Sequence, residues 1–165
     1  MLVLGIDPGT AITGYGLVRE VDDGLTLVGY GVITSRADQP LPGRLQTIYQ
    51  GLTAVVREYR PDAAAVEELF FSRNVRTALT VGHARGVALL ALADAGLPIY
   101  EYKPLEVKQA IAGYGGADKQ QVQEMVRMLL DLDHVPHPDD AADAVAVSVC
   151  HIHSARMAAV LLDAG

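Results

Sequence analysis

The chain has 165 residues, of which 50% are hydrophobic and 20% are charged, a composition typical of a globular protein. Its single cysteine, Cys150, excludes an internal disulfide and a cysteine-rich zinc site, and it fits a reducing cytoplasm. No stretch is expected to be long and apolar enough to span a membrane, and the N-terminus lacks the basic and then apolar pattern of a signal peptide. The composition therefore predicts a single cytoplasmic domain over residues 1–165.

The net charge of −7 argues against a polyanionic partner such as nucleic acid. The charge is unevenly distributed, because residues 73–127 contain seven basic and five acidic side chains, whereas residues 128–165 contain one basic and six acidic side chains. Divalent cations bound to some of the acids would reduce the negative charge further. The charge is therefore compatible with DNA binding but does not by itself predict it.

The N-terminal part is predicted to contain three strands, which are apolar and separated by turn residues. These strands cover residues 2–7, 14–21 and 25–33. Pro8 and Gly9 end the first strand, and the turn from Asp22 to Gly24 joins the other two as an antiparallel hairpin. Apolar side chains then repeat at helical spacing from Leu45 to Tyr59, and Pro61 ends that helix.

The remaining chain is predicted to add two strands and several helices. The strands cover residues 63–67 and 97–102, and the helices cover residues 75–95 and 104–112. Asp118 and Gln121 form a capping-box pattern that begins another helix. The segment after Pro138 alternates like a strand at residues 144–149, but Pro138 and the many alanines favour a helix. These elements predict an α/β fold with a five-stranded mixed sheet, three strands antiparallel and then two parallel, flanked by helices.

Two acidic residues end apolar strands of this predicted sheet. Asp7 has a structural explanation as a turn residue, because Asp-Pro-Gly is favourable in turns. Glu67 is explained equally well by a strand that emerges into solvent, and Glu68 would point to the opposite face. Ligands of open α/β folds bind at the carboxyl ends of the strands, so both acids are also candidates for a functional site.

Asp140 and Asp143 are spaced so that both carboxylates lie on one face of the predicted last helix. An acid in the first turn is stabilised by the helix dipole, which is sufficient to explain Asp140. Asp143 lies further inside, among alanines and valines, and has no such explanation. If this helix approaches Asp7 and Glu67, the four carboxylates form an oxygen-only site suited to Mg²⁺ or Mn²⁺. Two such ions can activate a water and stabilise the leaving oxygen of a phosphodiester.

The acids lie within short segments whose order and spacing resemble those of the RuvC family of Holliday-junction resolvases, which have an RNase H-like fold. These segments are Gly5–Thr10, Ala65–Glu67, Val107–Gln109 and Asp140–Ala144. The likeness covers nearly the whole chain, including Phe70–Asn74 and Ala84–Val87. The resemblance implies a metal-dependent endonuclease that resolves four-way DNA junctions in recombination and repair by paired nicks, leaving 5′-phosphate ends.

The same resemblance implies roles for particular residues. Asp7, Glu67, Asp140 and Asp143 would be catalytic metal ligands, with Asp140 the least fixed because some relatives have histidine there. Lys108 and Lys119 would contact phosphates beside the metals, although solvated lysines are the ordinary alternative. The resemblance further implies a homodimer and cooperation with the RuvA–RuvB branch-migration motor.

The segment after Glu67 combines aromatic and basic side chains, a pattern suited to base stacking and phosphate contact. In the resembled family, the position of Phe70 approaches an unpaired base near the junction centre, whereas a core position is the alternative, favoured for Phe71. Further candidate DNA contacts follow along the chain. They are Arg73, Asn74, Arg76 and Arg85.

Other classes of function share parts of this pattern. Phosphotransferases of the actin and sugar-kinase class also begin with Gly-x-Asp-x-Gly-Thr, but they duplicate this fold and have a second glycine-rich phosphate loop. A non-catalytic junction-binding protein is disfavoured by the complete set of four acids. A nuclease acting on RNA is excluded only by the family resemblance. Two short pairs of histidines, from His134 to His153, do not have a recognised zinc spacing.

Overall fold

The computed structural model describes residues 1–22, 24–68 and 74–163. Within them, five strands form one mixed sheet: β1 Leu2–Asp7, β2 Ile12–Val21, β3 Gly24–Thr34, β4 Ala63–Glu67 and β5 Ile99–Tyr102. The order across the sheet is β3-β2-β1-β4-β5. β1, β2 and β3 pair antiparallel, whereas β4 and β5 join β1 in parallel. The predicted mixed sheet, with three antiparallel and two parallel strands, is confirmed.

Helices cover both faces of the sheet. They are α1 Leu41–Tyr59, α2 Val75–Asp94, α3 Pro104–Ala112, α4 Lys119–Leu129 and α5 Asp139–Asp163. One core contains Leu4, Ile6 and Leu17 of the sheet packed against α1 and α2. The other contains Val3 and Val18, packed with side chains of α3, α4 and α5. Since side chains alternate along a strand, Asp7 shares the α5 face of β1 with Val3.

The predicted bounds differ from the structure mainly at the starts of elements. α1 begins at Leu41 rather than near Leu45, because its first turn contains Pro42 and lacks the apolar repeat that marks its later turns. β2 begins at Ile12 rather than at Gly14. The predicted capping box of α4 is confirmed. The Asp118 side chain accepts a hydrogen bond from the backbone N–H of Gln121 at 2.9 Å, and Gln121 Oε1 accepts one from the backbone N–H of Asp118 at 3.0 Å.

The segment after Pro138 is a helix, as predicted, and it is the central helix of the fold. α5 has 25 residues, and from Ala141 to Ile152 every residue except Asp143 is buried, against the sheet and against α3 and α4. By length and composition this helix could cross a membrane, so the expectation that no segment meets that criterion was wrong. Its apolar character is explained by burial on several sides in the core.

Candidate active site

Asp7 and Glu67 lie side by side at the carboxyl ends of neighbouring parallel strands. β1 and β4 pair with Ile6 opposite Val66, so the residue that follows each of them lies at the same level. Both carboxylates point to the α5 face, and both are half-buried. They line one small cleft together with Pro104 and Arg85. The expectation that these two acids meet at the sheet edge is confirmed.

Glycines in the strands allow α5 to approach this edge closely. A Cβ atom at Gly14, which pairs with Asp7 across β1 and β2, would lie only 1.9 Å from the backbone oxygen of Asp140. A Cβ atom at Gly5 would lie 2.1 Å from the backbone oxygen of Ala144. A glycine inside a strand commonly marks such a close approach, so Gly5 and Gly14 were signals in the sequence for the position of α5.

The close packing of α5 places Asp140 and Asp143 beside the strand acids. The charges of Glu67, Asp143 and Asp140 all act on Asp7. Asp143 lines a second cleft that also contains Glu67, Lys108 and Lys119. Asp140 lines a third cleft on the other side of the first turn of α5. The structure therefore brings the four predicted acids and the two predicted lysines to one edge of the sheet.

The strand acids are held where the charged form of a carboxyl group is disfavoured. Burial, the negative charges of Glu67 and Asp143, and a hydrogen bond to Glu67 raise the pKa of Asp7 to about 8. Burial also raises the pKa of Glu67, although the hydrogen bond from Asp7 and the charges of Lys119 and Lys108 oppose this effect. In the absence of a cation, the Asp7–Glu67 pair therefore holds a proton at neutral pH, shared through the hydrogen bond between the two carboxyl groups.

Lys119 is the cation closest to the helix acids. Its Nζ atom lies 2.8 Å from Asp143 Oδ2 and 3.4 Å from Asp139 Oδ2. Gln123 Nε2 donates to the other oxygen of Asp139 at 3.2 Å. Asp139 and Gln123, which help to hold Lys119, were not among the residues predicted from the sequence. The two adjacent acids at the start of α5 indicated an acidic contact there, but only the folded structure shows that Asp139 is the one near Lys119.

The donor set fits a hard divalent cation. It contains carboxylate oxygens only, and their mutual repulsion is only partly relieved by the Lys119 ammonium group. Among the described residues, no three histidine, cysteine, aspartate or glutamate side chains are already arranged to hold one ion. Asp143 is paired with Lys119, and Asp140 faces a separate cleft. Binding of a cation would therefore require that Lys119 leave Asp143 and that the carboxylates turn towards each other.

The other predicted DNA contacts occupy different environments. Arg76 is exposed in the first turn of α2, in the same cleft as Asp140, and Asn74 caps that helix by accepting from the Arg76 and Thr77 amides. Arg85 is mostly covered and forms an ion pair with Glu101, which a DNA contact would have to break. The predicted contacts Phe70 and Arg73 lie outside the described residues.

The histidines are dispersed in this structure. His151 is buried, forms a 2.7 Å hydrogen bond with the Tyr102 hydroxyl and stacks on Tyr100 with a ring-centre distance of 4.2 Å. His153 lies against the backbone oxygen of Ala110 at 3.2 Å. Exposed positions between α4 and α5 are occupied by His134 and His137. The first two side chains therefore have structural contacts that require no metal.

The sheet order and the acids at its edge define an endonuclease of the RNase H-like class. Residues 3–151 match the protein family described as crossover junction endodeoxyribonuclease RuvC, and the chain belongs to that family. A curated member from Chloroflexus aurantiacus is 61% identical over 155 residues, covering 94% of each chain. A member from Desulfitobacterium hafniense is 56% identical over 157 residues, covering 95% of each chain.

Solved structures of resolvases agree with this assignment. The structure described as Thermus thermophilus RuvC in complex with a Holliday junction substrate has a TM-score of 0.91 and 40% identity, and it covers 96% of each chain. The yeast mitochondrial Holliday junction resolvase has a TM-score of 0.66 but only 14% identity, so it supports the fold alone. The RNase H-like fold expected from the sequence is confirmed.

Proposed function

We propose that this protein resolves Holliday junctions by paired, metal-dependent hydrolytic nicks during DNA recombination and repair. The observation that carries the proposal is the meeting of Asp7, Glu67, Asp140 and Asp143 at one sheet edge in a chain of the RuvC family. The likeness to a resolvase bound to a junction supports four-way junction DNA as the substrate. DNA as the substrate also supports an action in the cytoplasm, where bacterial DNA is found.

The four acids are proposed to hold Mg²⁺ or Mn²⁺, with two ions in each active site. When bound, such cations supply polarisation of a water and stabilisation of the leaving oxygen of a phosphodiester. The half-buried position of Asp7 and Glu67 favours this role, because a cation relieves a repulsion that the fold otherwise imposes. Asp140 lies at the more open side of the first turn of α5, so its contribution to metal binding depends on how far its side chain turns towards the other three acids.

Lys108 and Lys119 are proposed to hold the phosphate that is cleaved. Both line the cleft that contains Glu67 and Asp143, and Lys119 has a ready alternative partner in Asp139 when Asp143 binds a cation. An ammonium group beside the scissile phosphate neutralises negative charge that builds up during attack by water. The hydrolysis then leaves the phosphate on the 5′ end and a hydroxyl group on the 3′ end.

The decisive experiment compares cleavage and binding in the same preparation. Asp7→Asn, Glu67→Gln and Asp143→Asn should each abolish nicking of a synthetic four-way junction with Mg²⁺ while leaving junction binding largely intact. The reason is that each change removes an acid that binds the cation rather than a DNA contact. Matched duplex and an RNA–DNA hybrid serve as control substrates, and chelator serves as the control for metal. Near-normal cutting by one of the three variants would remove that residue from the site.

A twofold homodimer is the assembly proposed for this activity. A four-way junction has approximate twofold symmetry, and paired nicks need two active sites held together. Part of α2 supplies an exposed apolar surface, because Leu79 and Leu90 are 62% and 54% exposed. Of the small residues of α2, Gly86 is exposed, whereas Ala78, Ala84 and Ala88 are buried. The RuvA–RuvB branch-migration motor is the proposed partner of the dimer, on the basis of family membership.

A further inference from the structure

Basic side chains lie on both sides of the acids. On the side of α3 and α4, Lys108 and Lys119 share a cleft with Asp143. On the side of α1 and α2, Arg44 and Arg76 share a cleft with Asp140. Asp140 and Asp143 are neighbours on one face of the first turns of α5, so the two clefts flank the acids. Arg44 is neither a proposed metal ligand nor one of the lysines proposed to hold the cleaved phosphate.

We call the second cleft the arginine groove. It has a volume of about 480 Å³ and lies between the N-terminal turns of α1 and α2 and the loop that joins β1 to β2. Hydroxyl groups, loop backbone and a few apolar side chains complete its lining. The lining residues are Gly9–Ile12, Arg44, Arg76, Thr77, Thr80, Val81 and Asp140.

The position of Arg44 in this groove is fixed by a chain of hydrogen bonds. Arg44 Nε donates to Ser35 Oγ at 2.9 Å, and Ser35 Oγ donates to the backbone oxygen of Thr10 at 2.5 Å. The Thr10 hydroxyl in turn donates to the backbone oxygen of Thr80 at 2.7 Å. Arg44 is half-buried, and its side chain is one of those that line the groove. A guanidinium group fixed in this way is prepared to bind an anion with little loss of conformational freedom.

In the described part of the chain, the positive charges of these two arginines are not neutralised by an ion pair. Among the described residues, neither Arg44 nor Arg76 forms an ion pair, whereas Arg36, Arg85, Arg127 and Arg156 do. The one acid in the groove is Asp140, which is itself a proposed metal ligand. A chain with a net charge of −7 repels a polyanion, so local cations are needed wherever DNA approaches the acids.

We propose that the arginine groove binds the sugar–phosphate backbone of the cleaved DNA strand, next to the scissile phosphate, with Arg44 and Arg76 each contacting a phosphate. This inference rests on the proposed junction-cleaving function. The strand crosses the first turn of α5, with Lys108 and Lys119 on one side and the two arginines on the other. Ile12 and Val81 also line the groove, and in this arrangement their apolar side chains would face the sugars between the phosphates.

The test measures how junction binding depends on salt, in chelator so that the junction stays intact. Removing one ionic bond to a phosphate reduces the slope of log affinity against log salt by about one unit. Arg44→Ala and Arg76→Ala are each expected to reduce the slope by that amount and to weaken binding about tenfold. Arg57→Ala is the matched control, because Arg57 is an exposed arginine in the last turn of the same helix as Arg44.

A second arm locates the phosphates. Single phosphates around the cleavage position are replaced in turn by neutral methylphosphonates. At one of these positions, the methylphosphonate should lower the junction affinity of the unmodified protein but should not lower the affinity of the Arg44→Ala variant any further. A methylphosphonate at a different position should lower the affinity of the unmodified protein without a further loss in the Arg76→Ala variant. If Arg44→Ala lowers the melting temperature, Arg44→Met replaces it, because methionine keeps an apolar stem without the charge.

The outcomes separate this inference from the function on which it rests. The groove assignment is overturned if Arg44→Ala retains the full slope. It is also overturned if Arg57→Ala reduces the slope equally, because the slope would then depend on the total charge of the protein and not on a contact in the groove. The unmodified protein is incubated in parallel with the same junction and Mg²⁺. Failure of that protein to nick the junction overturns the proposed function, whereas normal nicking with an unchanged slope in Arg44→Ala overturns the groove alone.

Discussion

At the scale of single residues, the carboxyl group of Asp7 has the most unusual environment in the site. Its pKa of about 8 arises mainly from burial and then from the charges of Glu67 and Asp143. The sequence identified Asp7 and Glu67 as candidates because both follow apolar strands. It could not show that this pair retains a proton, because that depends on burial and on the hydrogen bond between the two carboxyl groups.

This raised pKa predicts that metal binding releases a proton. Below about pH 8 the metal-free protein carries a proton on the Asp7–Glu67 pair, and a cation must displace it. The affinity for Mn²⁺ should therefore rise with pH up to that value and then level off. Calorimetric titration in two buffers with different ionisation enthalpies measures the protons released at neutral pH. Asp7→Asn is the control and should release fewer, whereas equal release by both proteins would place the proton elsewhere.

Lys119 is predicted to affect metal binding and DNA binding in opposite directions. Lys119→Met removes the ammonium group that pairs with Asp143 at 2.8 Å, so Mn²⁺ should bind more tightly in the absence of DNA. A gain of about two- to fivefold is expected, because the pair is partly exposed to solvent. The same variant should bind the junction more weakly, since it lacks the positive charge that attracts a phosphate.

Lys108→Met is the control for this prediction. Lys108 lines the same cleft as Lys119 but forms no ion pair with the described acids, so its loss should weaken junction binding with a smaller effect on Mn²⁺. Calorimetry gives the metal affinity, and fluorescence anisotropy of a labelled junction gives the DNA affinity. Weaker Mn²⁺ binding by Lys119→Met would contradict the competition inferred from the structure.

At the scale of elements, the glycines of β1 and β2 determine where α5 lies. Gly14→Ala would place a methyl group against the backbone of Asp140, so α5 must shift away from the strand acids. We expect a loss of about 1–3 kcal/mol in the free energy of unfolding, as for other overpacked sites. We also expect weaker Mn²⁺ binding, because Asp140 and Asp143 move with the helix.

Gly24→Ala provides the matched comparison for this prediction. Gly24 lies at the start of β3, where a Cβ atom would meet the nearest backbone oxygen at 3.5 Å, an ordinary contact distance. Chemical denaturation and metal titration of both variants measure the two effects. Normal Mn²⁺ affinity in Gly14→Ala would show that the acids tolerate a displaced α5.

The elements themselves were largely predictable, and the reasons differ from one to another. The alternating and helical apolar patterns predicted the strands and most helices, and the capping box predicted the start of α4. The segment at residues 144–149 was ambiguous because a helix buried on several sides has apolar residues all round, which hides its period. Arg44 was missed because α1 carries no acid of the site, and its role depends on contacts with distant residues such as Ser35.

At the scale of the whole molecule, the prediction concerns assembly. If the exposed side of α2 forms a twofold interface, Leu79→Glu combined with Leu90→Glu should convert a dimer to a monomer. Sedimentation at micromolar concentration measures the change directly. On a supercoiled plasmid with a cruciform, the dimer should give linear product and the monomer mainly nicked circles, because coordinated nicks need two sites.

Leu161→Glu is the control for this pair of changes. Leu161 is 67% exposed near the end of α5, so the substitution adds the same kind of charge to an exposed leucine away from α2. It should leave the sedimentation coefficient unchanged. An unmodified protein that is monomeric both in solution and on a junction would exclude the dimer.

The burial of α5 has a consequence for how the enzyme loses activity on heating. This helix carries two of the four acids at its first turns and also fills the centre of the core from Ala141 to Ile152. Its amide hydrogens should therefore exchange with solvent only when the whole domain opens, at the slowest rates in the chain. Thermal inactivation should coincide with global unfolding, and a folded but inactive intermediate should not accumulate.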